Sequence, residues 1–148
     1  MLVRTYSCAL MGVVAIPITI EVNIDIGINF FLVGLPDSAV KESQQRIDSA
    51  LKNYGYKIPG KKVVINMAPA DIRKEGSAYD LTIAIGILIA SEQIKDVKNV
   101  EDYYILGELS LDGTLQPVRG ALPIAIEAKK RGKKGIIFGA LNDQSIAW

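Results

Sequence analysis

Residues 63–90 constrain the fold of this chain more than any other stretch. They read VVINMAPADIRKEGSAYDLTIAIGILIA. The β-branched residues at the start predict a buried strand, and the charged run after Pro69, which includes Gly76, predicts an exposed loop. Residues 81–90 carry no charge, so they predict a helix that other elements enclose, with Asp80 as its N-cap. A loop between two buried elements is held rigidly, so we expect any function to lie there.

The composition is that of one globular domain. The chain has 148 residues, 49% of them hydrophobic and 22% charged, and a net charge of +1. This near-neutral balance gives no general attraction to nucleic acid or to anionic membranes, so any such contact must be local. Histidine is absent and Cys8 is the single cysteine. These facts remove a disulfide framework and the commonest zinc ligand, so no metal site is predicted and catalysis would need Ser, Lys, Asp or Glu.

The N-terminal apolar segment predicts folded strands and not a signal peptide. Arg4 precedes an apolar run, as in a signal peptide, but no small-residue cleavage site follows. The run passes into residues 18–26, where apolar and polar residues alternate strictly. That alternation predicts a long strand, with Ile18, Ile26 and the apolar residues between them on one face. A cytoplasmic location is the simplest prediction.

The other segments predict a mixture of helices and strands. A helix capped by Asp37 or Ser38 carries an apolar stripe as far as Tyr54 and ends at Gly55. We also expect two strands meeting near Gly12 and a strand at 30–33. Residues 103–111 and 114–118 predict a hairpin with a two-residue Asp112-Gly113 turn. The remaining predicted elements are a helix from Ala121, a last strand at 136–138 and the start of a helix within 141–148.

Residues 55–62, GYKIPGKK, almost match the phosphate-binding loop of nucleotide-binding proteins. That loop works by following a strand and opening a helix, whereas this segment follows a predicted helix and precedes a predicted strand. Pro59 also lacks one of the N–H groups needed, and Lys62 replaces the hydroxyl that would bind magnesium. The sequence therefore predicts a turn here, and no nucleotide site within these residues.

A basic cluster near the C-terminus allows two interpretations. Lys129, Lys130 and Arg131 end a predicted helix and are followed by Gly132. Cations in this position could contact nucleic acid. They are also what capping of a helix C-terminus alone predicts, because they interact favourably with the helix dipole.

Several segments together resemble one family. They are residues 33–43 (VGLPDSAVKES), 66–71 (NMAPAD), 74–76 (KEG), 79–81 (YDL), 106–113 (LGELSLDG) and 117–120 (PVRG). They closely resemble the N-terminal domain of the magnesium-chelatase-like, ComM/YifB-type AAA+ ATPases of bacteria, and the resemblance covers essentially the whole chain.

This resemblance implies an α+β fold similar to domain 2 of ribosomal protein S5, a mixed β-sheet with helices packed on one face. It implies a single domain over residues 1–148, followed in the parent protein by an AAA+ module that this chain lacks. It further implies that ATP and Mg belong to that module, and that the parent forms a hexameric ring. The implied partners are the AAA+ module, neighbours in the ring and DNA, since ComM-type members are linked to branch migration; no membrane is expected.

The family is also similar to the proteolytic domain of Lon, which carries a Ser–Lys dyad. In the corresponding segments, the serine position holds Ala78 and the lysine position holds Leu122. Alanine cannot attack a carbonyl and leucine cannot take a proton, so the resemblance implies a non-catalytic domain. The alternative is a displaced dyad formed by Ser77 and Lys74.

The sequence therefore predicts a non-catalytic binding or assembly module of a DNA-processing ATPase. The candidate binding residues are Asp71, Arg73, Lys74, Glu75 and Ser77 in the loop, with Arg119. The alternatives are a Lon-like peptidase domain and a stand-alone nucleic-acid-binding module, in which Lys129 to Arg131 would contact the nucleic acid.

Overall fold

The computed structural model describes residues 1–95 and 98–139. The predicted helix within 141–148 lies outside these residues. The elements are, in chain order, β1 (Leu2–Met11), β2 (Val14–Asp25), β3 (Phe30–Val33), α1 (Ser38–Lys41), α2 (Ser43–Asn53), β4 (Lys62–Ala68), α3 (Asp80–Ala90), a 3-10 turn (Val100–Asp102), β5 (Tyr103–Leu106), β6 (Glu108–Leu109), β7 (Leu115–Gln116), α4 (Ala121–Lys130) and β8 (Gly135–Phe138).

A four-stranded sheet in the order β1-β2-β4-β3 organises the chain. Strands β1 and β2 form a long antiparallel hairpin that turns at Gly12, where φ is +63°, and β2 also pairs antiparallel with β4. Strand β3 pairs parallel with β4. The sheet is therefore mixed, and the prediction of an α+β fold with a mixed sheet is confirmed.

Helices α2 and α3 cover one face of this sheet. Alternate residues of β2 from Ile18 to Ile24 are buried against them, as the alternation predicts. Ile26 was expected to continue this row, but it is 93% exposed because β2 ends at Asp25. Helix α3 is enclosed as predicted, and it approaches β2 so closely that a Cβ at Gly86 would lie 2.7 Å from Val22 Cγ2.

Helix α4 departs from the predicted arrangement with all helices on one face. It packs with β5 and β8 over Cys8, which points to the opposite side of β1 from the main core. The reason is topological: β5 and β8 are parallel, so the chain needs a crossover between them, and α4 lies in that crossover. Burial in this second core, with Glu127 nearby, raises the pKa of the Cys8 thiol to about 12, so the thiol is neutral at pH 7.

The helix ends differ from two predictions. Helix α3 begins at Asp80 itself, and Tyr79 is its N-cap, because the Asp80 carboxylate is used by other elements. Tyr54 was placed on the buried stripe, but it is the C-cap of α2 and is exposed. The predicted cap at Asp37 is confirmed, since its Oδ1 accepts from the Val40 N–H at 2.8 Å. Gly55 follows the C-cap with φ of +81°, as expected.

The predicted hairpin at 103–118 is only partly correct. The first arm divides at Gly107, whose N–H donates to Ala78 O at 2.7 Å and whose carbonyl accepts from Leu81 N at 3.0 Å. These bonds leave only the short pair β6 and β7 as a hairpin, while β5 turns to β8. Its loop is longer than two residues, because the Ser110 N–H donates to Thr114 O across it at 2.9 Å.

Residues 55–62 connect α2 to β4, so they do not open a helix as a phosphate-binding loop must. The predicted turn is thus confirmed. Among residues 1–95 and 98–139, no helix is both long and apolar enough to cross a bilayer.

Candidate binding cleft

A buried lysine fixes the loop between β4 and α3. The Lys74 side chain is fully buried, and its Nζ donates to Gly34 O at 2.8 Å and to Pro69 O. Its backbone N–H donates to Leu35 O at 2.9 Å. Burial lowers the pKa of the Lys74 amine, and the nearby Asp71 carboxylate opposes that shift. Lys74 therefore holds the loop to the end of β3 and does not lie on its surface, where the sequence placed it.

Asp37, in the segment that follows β3, also binds the loop. Its backbone N–H donates to Lys74 O at 2.9 Å, and its Oδ2 accepts from the Gly76 N–H at 3.1 Å. Gly34 lets the chain after β3 pass close to β4, because its φ is +106° and a Cβ there would lie 2.2 Å from Met67 O. The end of β3 and the loop are thus one hydrogen-bonded unit.

The end of the loop is anchored by the buried Asp80 carboxylate. Oδ1 accepts from Ser43 Oγ at 2.7 Å, and the Arg46 guanidinium donates to Oδ2 at 2.6 Å and to Oδ1 at 3.0 Å. Oδ2 also accepts from the Leu109 N–H at 3.0 Å. The hydrogen bond to Asp80 raises the pKa of Arg46 above its ordinary value. This network joins α2, α3 and β6 at the base of the loop.

The loop and the tip of the β1–β2 hairpin enclose a cleft of about 580 Å³. One wall is the hairpin tip, and the other is the outer side of the loop. The lining residues are Ala9, Leu10, Met11, Gly12, Asp71, Ile72, Arg73, Glu75 and Tyr79. Of the binding residues predicted from the sequence, Asp71, Arg73 and Glu75 are therefore brought together here.

The cleft combines apolar walls with charged groups at its rim. Arg73 Nε lies 3.4 Å from Glu75 Oε1, and both side chains are well exposed, so this pair contributes little to stability and its members are accessible to a ligand. Burial raises the pKa of the Tyr79 phenol, so Tyr79 is neutral at pH 7. Among the described residues, no serine, cysteine or lysine lines the cleft. Its charged and apolar groups can hold a ligand through ion pairs and apolar contact.

The positions of a Lon-like dyad lie elsewhere. Ala78 packs against the second core, and Leu122 lies on α4 with 69% of its surface exposed. The displaced alternative is not assembled either, because the Ser77 hydroxyl donates to Glu108 Oε1 while the Lys74 amine donates to backbone carbonyls. A Ser–Lys dyad needs the amine within hydrogen-bond reach of the hydroxyl, and here each group has a different partner.

The remaining predicted residues also lie outside the cleft. Arg119 is exposed beside Gly120, which contacts Leu10. Lys129, Lys130 and Arg131 end α4, where Arg131 pairs with Glu127 at 2.8 Å. The structure therefore does not unite Arg119 or the basic cluster with the loop.

Sequence reasoning did not identify the hairpin tip as part of the cleft. Leu10 and Met11 supply one wall, and they are 40% and 59% exposed. Exposed apolar residues on both sides of a turn glycine are a usable signal, because a tip without a contact is normally polar. The contact between the tip and the loop joins residues about 60 positions apart in the sequence, and the periodicity of a sequence does not show such a contact.

Comparison with known proteins gives the family of this chain. The chain belongs to the family described as subunit ChlI of Mg-chelatase, which matches residues 20–142. Two of its relatives are the protein YifB of Escherichia coli strain K12, 50% identical over 130 residues, and the competence protein ComM of Haemophilus influenzae, 46% identical over 138 residues. The predicted family is thus confirmed.

The chain spans about a quarter of the length of these relatives. The matches cover 87% and 93% of this chain but 26% of YifB and 27% of ComM. Lon protease 2 of Bacillus subtilis is 30% identical over 109 residues, which are 74% of this chain and 19% of that protein. The likeness to domain 2 of ribosomal protein S5 stays a prediction.

Proposed function

We propose that this chain is a non-catalytic module of a magnesium-chelatase-related AAA+ ATPase, in which it positions or assembles the parent protein for DNA processing. The cleft between the hairpin tip and the loop 71–75 is its contact surface. The module holds this surface rigid through Lys74 and Asp80, so that a partner meets a preformed site.

The observation that carries the proposal is the separation of the groups that a Lon-like dyad would use. Among residues 1–95 and 98–139, no serine, cysteine or lysine lines the cleft, and its Glu75 carboxylate pairs with Arg73. Ser77 and Lys74 are each hydrogen-bonded to other residues. A peptidase would need them, or their Lon-like counterparts, in direct contact.

The parent protein is proposed to supply the chemistry. ATP and Mg would bind the AAA+ module, which this chain does not contain, and the ring would be a hexamer in the cytoplasm. The partners of this chain would then be that module and its neighbours in the ring. The name of the relative ComM, a competence protein, supports a link to DNA.

Contacts within the chain support an assembly role over direct DNA recognition. In the basic segment, Arg131 pairs with Glu127, Lys134 pairs with Asp102 at 3.3 Å, and Lys133 Nζ donates to Glu101 O. Cations engaged in this way release fewer counterions on a phosphate backbone, so they contribute less to DNA affinity.

The test is DNA binding by the chain with single-stranded, duplex and branched probes. At about 150 mM salt we expect affinity weaker than the roughly 10⁻⁴ M that marks the lower limit of non-specific binding, for all three probes. Micromolar binding that falls as salt is raised, and that is lost when Lys129 and Lys130 are changed to glutamate, would contradict the assembly role and favour a DNA-recognition module.

A further inference from the structure

A second surface, distinct from the cleft, lies between α4 and β8. It is a groove of about 340 Å³, here called the α4–β8 groove. Its lining residues are Leu122, Ala125, Ile126, Ala128, Lys129, Lys133, Lys134, Gly135 and Ile136. None of these residues lines the cleft, so this surface is independent of the proposed function.

The floor of the groove is apolar and open because its residues are small. Ala125, Ala128 and Gly135 carry at most one methyl group, so the helix and the strand leave a depression between them. Leu122 and Ile126 form one edge, and they remain 69% and 50% exposed. They are spaced i, i+4, so they lie on the same side of α4, about 6 Å apart along its axis.

The rim of the groove carries one sign of charge. Lys129 follows Ile126 by one turn of the helix, and Lys133 and Lys134 face it from the turn before β8. Among the residues that the structure describes, no carboxylate lines the groove. Lys133 is held in place, because its Nζ lies 4.1 Å from the centre of the Tyr6 ring. This arrangement is complementary to a ligand with apolar anchors and carboxylates.

We propose that the α4–β8 groove binds an acidic amphipathic helix of a partner polypeptide. Two apolar side chains one turn apart would fill the floor beside Leu122 and Ile126, and a carboxylate next to them would pair with Lys129, whereas Lys134 already pairs with Asp102. Helix-in-groove recognition uses anchors at this spacing. Nucleic acid fits less well, because phosphates satisfy the lysines but leave the exposed Leu122 and Ile126 without an apolar partner.

The test uses the full chain and a labelled 15-residue peptide. The peptide carries leucines at helical spacing on one face and glutamates on the other. A matched peptide has every glutamate replaced by lysine. Fluorescence anisotropy should show saturable binding of the glutamate peptide, with affinity for the lysine peptide at least about tenfold weaker because the rim is basic.

Matched variants localise the binding. Ile126→Ser should weaken binding of the glutamate peptide by about tenfold, since it removes an apolar anchor. Ile28→Ser, at a more exposed isoleucine away from the groove, should leave that binding unchanged. Lys129→Glu should weaken binding of the glutamate peptide by about fivefold or more. Lys130 is the next residue but lies outside the groove, so Lys130→Glu should have a clearly smaller effect on that binding.

Four results would overturn the proposal. The first is equal binding of the two peptides, and the second is binding that Ile126→Ser does not weaken. The third concerns residues 140–148, which follow β8 and contain Leu141, Ile146 and Trp148. If changing these three to serine tightens peptide binding by tenfold or more, the groove belongs to the chain's own C-terminal segment. Displacement of the peptide by duplex DNA at physiological salt would instead assign the groove to nucleic acid.

Discussion

The substitution Asp80→Ala is expected to lower the free energy of unfolding by about 3 to 5 kcal/mol, because it leaves Arg46 and the Leu109 N–H without their buried partner. A domain of this kind has a total stability of about 5 to 15 kcal/mol, so the loss would place a large fraction of the chain in the unfolded state at moderate temperature. Urea unfolding followed by circular dichroism measures the effect as a shift of the midpoint.

The exposed pair Lys52–Asp48 provides the matched control. Asp48→Ala removes a similar ion pair of 3.0 Å, but the side chains are 65% and 38% exposed, so water replaces the partner. We expect a change below about 0.5 kcal/mol. Equal effects of Asp80→Ala and Asp48→Ala would contradict the anchoring role of Asp80.

Gly34→Ala is expected to be nearly as destabilising, with a loss of about 3 to 5 kcal/mol from backbone strain and displacement of Met67 O together. The φ of +106° is unfavourable for any side chain, and the new Cβ would lie 2.2 Å from a backbone oxygen that cannot rotate away. Since Gly34 O also accepts from Lys74, the loop should loosen as well. Thermal unfolding and proteolysis within the loop would report both effects.

Gly55→Ala separates the two causes. Gly55 also has a positive φ, +81°, but nothing lies within 4 Å of the Cβ that would be added. Gly55→Ala should therefore lower the free energy of unfolding by about 1 to 2 kcal/mol, because only the backbone conformation is unfavourable. If Gly34→Ala costs no more than Gly55→Ala, the close packing of β3 against β4 at this point is not a constraint on the fold.

The sequence predicts the main elements because their patterns are local. The alternation in residues 18–26 and the uncharged helix 81–90 each specify an element and its buried side. Gly107 predicts an interruption of the first hairpin arm, but the separation into β5 and β6 depends on hydrogen bonds to Ala78 and Leu81, about 30 residues earlier, which no local pattern shows. The position of α4 likewise depends on the pairing of β5 with β8, which no local pattern encodes.

The candidate site shows the same limit. The charged residues of this segment predict an exposed loop, and Asp71, Arg73 and Glu75 do lie on it and line the cleft. The same reasoning placed Lys74 on the surface, but carbonyl groups at Gly34 and Pro69 draw its amine inside. A charged residue is buried only when the tertiary fold offers partners, and a sequence pattern does not reveal them.

Covalent labelling of the chain by a fluorophosphonate, followed by intact-mass spectrometry, is the decisive test of the non-catalytic role. This reagent modifies serines that a neighbouring base activates. We expect an unmodified mass under conditions that fully label a serine peptidase, because the Ser77 hydroxyl and the Lys74 amine are hydrogen-bonded to different partners, Glu108 and the Gly34 carbonyl. A single adduct at Ser77 that disappears in Lys74→Met would contradict it and identify a working peptidase.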